Sequence, residues 1–251
     1  MAVNGGAMIE VRNVSKAFGG VQANRDISLA VAEGRITGLI GPNGSGKTTL
    51  FNSIVGYHPI DAGSITFEGR EISKFRVPRI ARLGMLRTFQ QTRIYGNMSC
   101  LKNMLISVPH RTMGFFEIFG AHSAEELEKA EHLLEFVGLY AKRKLLAGDL
   151  SFGQQKLLEF AMALMNGPRV LLLDEPTAGI NPTLINGLID RLKRANTEFG
   201  ITLFVIEHNM RVIMNLADNI YCLAHGELLA GGPPEQIQSD QRVIDAYLGA
   251  H

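Results

Sequence analysis

Apolar residues along this chain fall into two different rhythms, and the change between them predicts the architecture. From 8 to 40 they come in short runs, MIEVRNV, ISLAV and ITGLI, separated by GG and EG pairs. Such runs predict β segments joined by turns. ITGLI is apolar almost throughout and leads into a glycine-rich loop. TTLFNSIVG (48–56) comes next and predicts a helix that stops at Gly56. SITFEG (64–69) reads as another strand. From about 91 to 166 the rhythm becomes helical: Leu127, Ala130, Leu133, Leu134 and Val137 recur at helix spacing. Ser123 and Glu126 form a capping-box pattern at the start of that run, and Gly138 closes it.

The remainder alternates. RVLLLDEP (169–176) predicts a buried strand, and Asn181–Pro182 an N-cap and first turn for the helix TLINGLIDRLKRANTEF, with Gly200 as its stop. ITLFVIEH (201–208) predicts a further strand, and IYCLAHGELLAGG (220–232) a hairpin turning at His225–Gly226. Strands alternating with helices imply a mostly parallel sheet, with the central helical block inserted into it. No internal repeat or low-complexity linker is visible.

Composition narrows the class. The 251 residues are enough for one good core plus an inserted subdomain. With 25 basic and 24 acidic residues the formal charge is +1, which gives no footprint for nucleic acid. Cys100 and Cys222 are far apart and beside no histidine pair, which argues against a disulfide framework or zinc site and fits a reducing cytosol. No apolar run reaches the length of a membrane span. The opening MAVNGGAMIEV has no charged stretch leading into an apolar run, so no secretion signal is expected.

The candidate chemistry begins at GPNGSGKTT (41–49), which fits the phosphate-loop pattern at Gly41, Gly46, Lys47 and Thr48. An apolar strand before it and a helix after it supply the context that the pattern needs. Gly41, Gly44 and Gly46 let the backbone curl around phosphate, with Pro42, Asn43, Ser45 and Thr49 completing the loop. Lys47 is expected to reach the β and γ phosphates and Thr48 to ligate Mg²⁺. A helix terminus supplies only about 0.3–1 kcal/mol per charge, so Lys47 and the metal must carry much of the charge compensation. Asp174, at the end of VLLLDE, fits the metal-supporting aspartate. Glu175 comes directly after it, where a carboxylate can orient or deprotonate an attacking water.

LSFGQ (150–154) raises a second phosphate question, because Ser151 can cap the next helix and leave another anion-binding N-terminus. GPNGSGKTT, TFQ (88–90), LSFGQ, LLLDEP and His208 after FVIE stand in the order found in ABC-type ATPases. The chain resembles that family over essentially its whole length. The resemblance implies an α/β fold: a P-loop NTPase core with a mostly parallel sheet, an N-terminal antiparallel β subdomain and an inserted α-helical subdomain. It divides a single ATPase domain, 8–251, into a nucleotide-binding core (8–90 and 167–235), a helical signature subdomain (91–166) and a helical tail (236–251).

The resemblance also assigns roles. Ser151, Phe152, Gly153 and Gln154 complete the ATP site of a second subunit in trans. Gln90 contacts the metal and the attacking water, so the metal set is Thr48, Gln90 and Asp174. Glu175, His208, Gln90 and Lys47 form the catalytic set, with His208 on the γ phosphate. Phe18, in KAFGG, stands where an aromatic stacks on adenine; a core phenylalanine is the competing reading. Two positions depart from the usual family pattern: Phe152 replaces a glycine, and the D-loop reads AGIN (178–181) where many members read SALD.

KAFGGVQAN, RTFQQTRIYGNMSCLKNML, SFGQQK, IEHNM and AYLG together resemble the ATP-binding subunits of branched-chain amino acid importers, and HRTMGFFEIFG (110–120) lengthens the helical region as in that subfamily. This resemblance implies ATP hydrolysis with Mg²⁺ and a homodimer, or a heterodimer with a second such subunit. Transmembrane permeases and, indirectly, a periplasmic or extracellular substrate-binding protein are the further partners. The expected location is cytoplasmic and peripheral on the inner face of the cell membrane. Urea or amide importers and lipopolysaccharide-export ATPases share much of the pattern, and a soluble ABC ATPase scaffold of the iron–sulfur assembly type is the further alternative that composition leaves open.

Overall fold

The computed structural model describes residues 6–88, 94–108 and 122–248. The chain divides into two compact units: Met1–Arg87, Arg169–Thr177 and Leu192–His251 form the first, and Thr88–Pro168 with Ala178–Arg191 the second.

The first unit holds two sheets. Strands β1 (Ala7–Phe18) and β2 (Val21–Ala32) pair antiparallel, and β1 pairs on its other edge with β4 (Ala62–Phe67), which carries the short β5 (Arg70–Glu71). The other sheet has the order β10-β9-β3-β8-β7-β6. Its central strands are β3 (Ile36–Ile40), β7 (Val170–Asp174) and β8 (Thr202–Ile206), parallel to one another and buried at every position. Continuous burial is what parallel strands covered on both faces require, and it explains their unbroken apolar runs. Strands β9 (Asn219–Ala224) and β10 (Glu227–Gly232) form the expected hairpin. Its turn residues His225 and Gly226 have φ of 50° and 80°. Helix α1 (Lys47–Ile54) buries Leu50, Phe51 and Ile54 completely, and the Phe51 and Phe204 rings lie 4.7 Å apart. Full burial of such side chains contributes about 1.5–3 kcal/mol each.

The unassigned stretch after β5 contains α2 (Val77–Arg82) and the edge strand β6 (Met85–Arg87), parallel to β7. Three residues carry too little periodicity to announce a strand; pairing with β7 makes it one. The expected helical tail is broken into α8 (Pro234–Ser239) and α9 (Gln241–Leu248), and α7 (Met210–Leu216) precedes β9.

The second unit is helical: α3 (Cys100–Ile106), α4 (Ala124–Phe136) and α5 (Phe152–Met165), then the start of α6 (Pro182–Phe199). Helix α4 has its capping box in place, with Ser123 Oγ accepting from Glu126 N and Glu126 accepting from Ser123 N. Ala130, Leu133, Leu134 and Val137 are buried, whereas Leu127, in the second turn, stays 41% exposed at the edge of that stripe. Asn181 caps α6 through its side chain, accepting from Thr183 N and Oγ1. Among the described residues no helix is long and apolar enough to cross a membrane.

Candidate functional site

One row of residues across the parallel sheet brings the phosphate-loop chemistry together. Leu39 of β3 pairs with Ile206 of β8, which pairs in turn with Asp174 of β7. The loop at 41–46, the Asp174–Glu175 pair and His208 therefore leave the sheet at one level on its carboxyl edge, where ligands collect in such sheets.

The loop is built for close backbone approach. Gly41 has φ 145°, and a Cβ there would sit 2.1 Å from the Leu223 carbonyl oxygen. Gly46 has φ 98°, and its Cβ would sit 2.3 Å from the Ala23 carbonyl oxygen. Gly46 is also the N-cap of α1, with no side-chain cap, so the first-turn N–H groups are left for a ligand. Lys47 is buried; its Nζ donates to the carbonyls of Gly41 (2.8 Å) and Pro42 (2.9 Å). Burial pulls this ammonium below the ordinary lysine range, against the opposing effect of Glu175 and Asp174. Ser45 is buried beside it, Thr49 is half-buried, and Asn43, Gly44 and Thr48 are exposed. The Thr48 hydroxyl and the Asp174 carboxylate are hard oxygen donors suited to Mg²⁺. Among the described residues no three His, Cys, Asp or Glu side chains cluster to hold a metal by themselves. An ion here would complete its shell with phosphate and water.

Asp174 is 3% exposed in its side chain and pairs with Arg87 at 2.5 Å. Glu175 has a left-handed backbone, φ 49°, a conformation that costs a non-glycine residue about 1–3 kcal/mol and gathers at active sites. Its N–H donates to Ile206 O (3.0 Å), and its carboxylate lies 3.4 Å from His208 Nδ1. Two of the four expected catalytic side chains thus meet directly. Phe18, at the end of β1, is 43% exposed, with its ring 5.1 Å from His58, so it is not a core phenylalanine. Gln90 lies outside the described residues, as does the 110–120 stretch.

Several supporting residues were not anticipated. The fully buried Glu207 accepts from Thr177 N (3.0 Å) and Thr177 Oγ1 (2.5 Å), tying together the loops after β7 and β8. Asn24 donates to Gly46 O. Tyr247 of α9 accepts from the Gly41 N–H at 2.8 Å, and burial pushes its phenol up to about 12, so it stays neutral. No local motif announces these; each pairs residues distant in sequence.

In the helical unit Ser151 caps α5. Its Oγ accepts from Gln154 N, while Gln154 Oε1 accepts from Ser151 N and from Lys142 Nζ. Ser151 and Phe152 are exposed and Gly153 is buried. The two departures from the family pattern meet here: a Cβ at Gly179 (φ 73°) would lie 2.8 Å from Phe152 Cε1.

Residues 24–178 match the family model described as ABC transporter, and 227–251 match one described as branched-chain amino acid ATP-binding cassette transporter. The chain is 38% identical to the high-affinity branched-chain amino acid transport ATP-binding protein BraF of Pseudomonas aeruginosa, over 96% of this chain and 98% of that one. It is 34% identical to LivG of Escherichia coli, over 96% and 98%. Among solved structures, the ADP conformation of an ATP-binding cassette of an ABC transporter superposes with a TM-score of 0.87 at 33% identity, covering 97% of this chain and 99% of the other. A nucleotide-free cassette from an ABC transporter gives 0.86 at 32%, covering 96% and 99%. With more than half of the chain matching that family's model and relatives above 30% identity over nearly the whole length, this chain belongs to the ABC transporter family.

Proposed function

We propose that this chain is the ATP-hydrolysing subunit of a membrane importer for branched-chain amino acids. The observation that supports this reading best is the single sheet edge carrying the Lys47 loop, Asp174 and the Glu175–His208 pair. As an ABC ATPase the chain binds ATP and converts ATP and water to ADP and phosphate. In the proposed assignment, Lys47 and the loop N–H groups hold the β and γ phosphates, and Phe18 offers its exposed face to the base. Thr48, Asp174 and Gln90 would hold Mg²⁺, which supplies charge neutralisation between the phosphates when bound. Glu175 takes up or orients the proton of the attacking water, and His208, already beside it, contacts the γ phosphate.

Ser151, Phe152, Gly153 and Gln154 serve the ATP of a second cassette, so each nucleotide lies between two chains. The second cassette is a copy of this chain or a related subunit. The pair docks on permeases at the inner face of the cell membrane, and a substrate-binding protein delivers the amino acid outside. Reconstitution tests the whole reading. Proteoliposomes holding this chain, its permeases and the binding protein should accumulate leucine only with ATP. Uptake of urea or a short amide in place of leucine would reassign the substrate, and ATPase activity indifferent to the permeases would remove the transport role.

A further inference from the structure

Arg87 has no place in the phosphate chemistry of Lys47, Asp174 and Glu175, yet the fold invests heavily in it. It ends β6, where it pairs with Leu172 of β7. Cross-strand partners share a face, and residues two apart on one strand share it too, so Arg87 and Asp174 project together. Helix α1 covers that face: Arg87 also donates to Asn52, and its guanidinium carbon lies 5.8 Å from the centre of the Phe51 ring. Both charged side chains are buried, Arg87 to 9% exposure and Asp174 to 3%, with the Arg87 Nη2 to Asp174 Oδ2 contact at 2.5 Å. Arg87 Nε is buried without a hydrogen-bond partner among the described residues.

This is a poor arrangement if stability were all it served. Two ions lose their hydration and one N–H is left unmet, where apolar residues of similar volume would do as well or better. What the pair does accomplish is electrostatic. A buried aspartate facing a phosphate site would attract a dication by itself. A guanidinium held on Oδ2 opposes that attraction by like-charge repulsion and orients the carboxylate, leaving Oδ1 as the oxygen Arg87 does not engage.

We propose that Arg87 is a positioning residue that stands as the resident counter-charge of Asp174, so that the nucleotide-free site takes a divalent cation weakly and the ion enters with the nucleotide's phosphates. The inference rests on the reading of Asp174 as the metal-supporting carboxylate. It also fits the scarcity of clustered ligands: among the described residues, no three His, Cys, Asp or Glu side chains gather to hold an ion.

Mn²⁺ alone is the probe, its free fraction monitored by electron paramagnetic resonance with nucleotide-free protein. Arg87→Gln should bind Mn²⁺ about tenfold more tightly than wild type, equivalent to ~1.4 kcal/mol. Arg87→Lys, which restores a cation, should return the affinity towards the wild-type value. In an Asp174→Asn background the gain should vanish. Arg87→Met replaces the amide if that variant does not fold. A purely structural Arg87 would change the melting temperature and leave the Mn²⁺ affinity alone, so equal affinity in a folded neutral variant overturns the proposal. A gain that survives Asp174→Asn overturns it too. So does wild-type nucleotide-free protein that already binds Mn²⁺ at low micromolar concentration, which needs no variant. The underlying reading has its own control, the Mg²⁺ dependence of ADP affinity measured by calorimetry. If Asp174→Asn leaves that dependence unchanged, the metal assignment fails; if it removes the dependence while Arg87 variants leave Mn²⁺ binding unmoved, only the role given to Arg87 fails.

Discussion

Glu175 shows how a single residue carries both strain and chemistry. Its positive φ is held by a hydrogen bond to Ile206 O, and its carboxylate meets His208. Gln keeps the size and the backbone demand of Glu but cannot accept a proton. Glu175→Gln should therefore retain Mg²⁺-ATP binding while hydrolysis falls by about 10²-fold or more, the range that a positioned base contributes; phosphate release and calorimetry read the two separately. Lys47→Ala should do the opposite to binding. It removes the cation buried inside the loop, so both ATP affinity and turnover should collapse. Phe18 is half out of the protein, so Phe18→Ala should leave the melting temperature nearly unchanged, as surface substitutions do within about 0.5 kcal/mol. Loss of a stacked base costs about 1–3 kcal/mol, so ATP binding should weaken more than binding of bare triphosphate. Equal weakening of the two would remove the base contact.

At the scale of elements, two contacts join pieces that the local sequence does not connect. Helix α9 reaches the phosphate loop through Tyr247, which receives the Gly41 N–H. Tyr247→Phe leaves that buried donor unmet, at a cost of about 1–3 kcal/mol. The expected result is a melting temperature lower by several degrees and a severalfold weaker ADP affinity; a shift in neither would mean the tail is a bystander. In the helical unit, Gly179 lies under the Phe152 ring. Gly179→Ala meets two obstacles, a left-handed backbone costing about 1–2 kcal/mol and a clash with that ring. Adding Phe152→Ala should recover the clash and leave the backbone cost, so the two substitutions should be non-additive in chemical denaturation. Strict additivity would show that the two departures from the family pattern are unrelated.

At the scale of the whole molecule the proposed function makes the chain half of a larger site. A charge-assisted hydrogen bond contributes roughly 1.5–3 kcal/mol, so two or three across each γ phosphate would move a monomer–dimer equilibrium more than a hundredfold. Glu175→Gln, unable to discharge its ATP, should elute as a dimer with ATP and as a monomer with ADP on a sizing column. Adding Ser151→Arg should abolish that dimer by placing a long side chain in the partner's phosphate site. It should leave nucleotide binding by the monomer mostly intact, apart from about 1 kcal/mol of stability for the lost cap on α5. A double variant that still dimerises would refute action in trans, and one that loses binding as a monomer would place the signature on its own chain's nucleotide.

The sequence by itself determined what depends on near neighbours. The buried runs at β3, β7 and β8, the capping box of α4, the Ser151 cap of α5, the His225–Gly226 turn and the order of the phosphate motifs are all local patterns, and the family is legible from them. What only the tertiary structure decided depends on residues far apart in the chain. β6 becomes a strand by pairing with β7, the exposure of Phe18 comes from where β1 ends, and Glu207 finds Thr177 across two loops. Arg87 reads as one basic residue before TFQ until the parallel register sets it beside Asp174, 87 residues further on. The reason is physical: periodicity records which face of an element is buried, whereas the partner of a buried charge is chosen by strand register and by the helix packed over it.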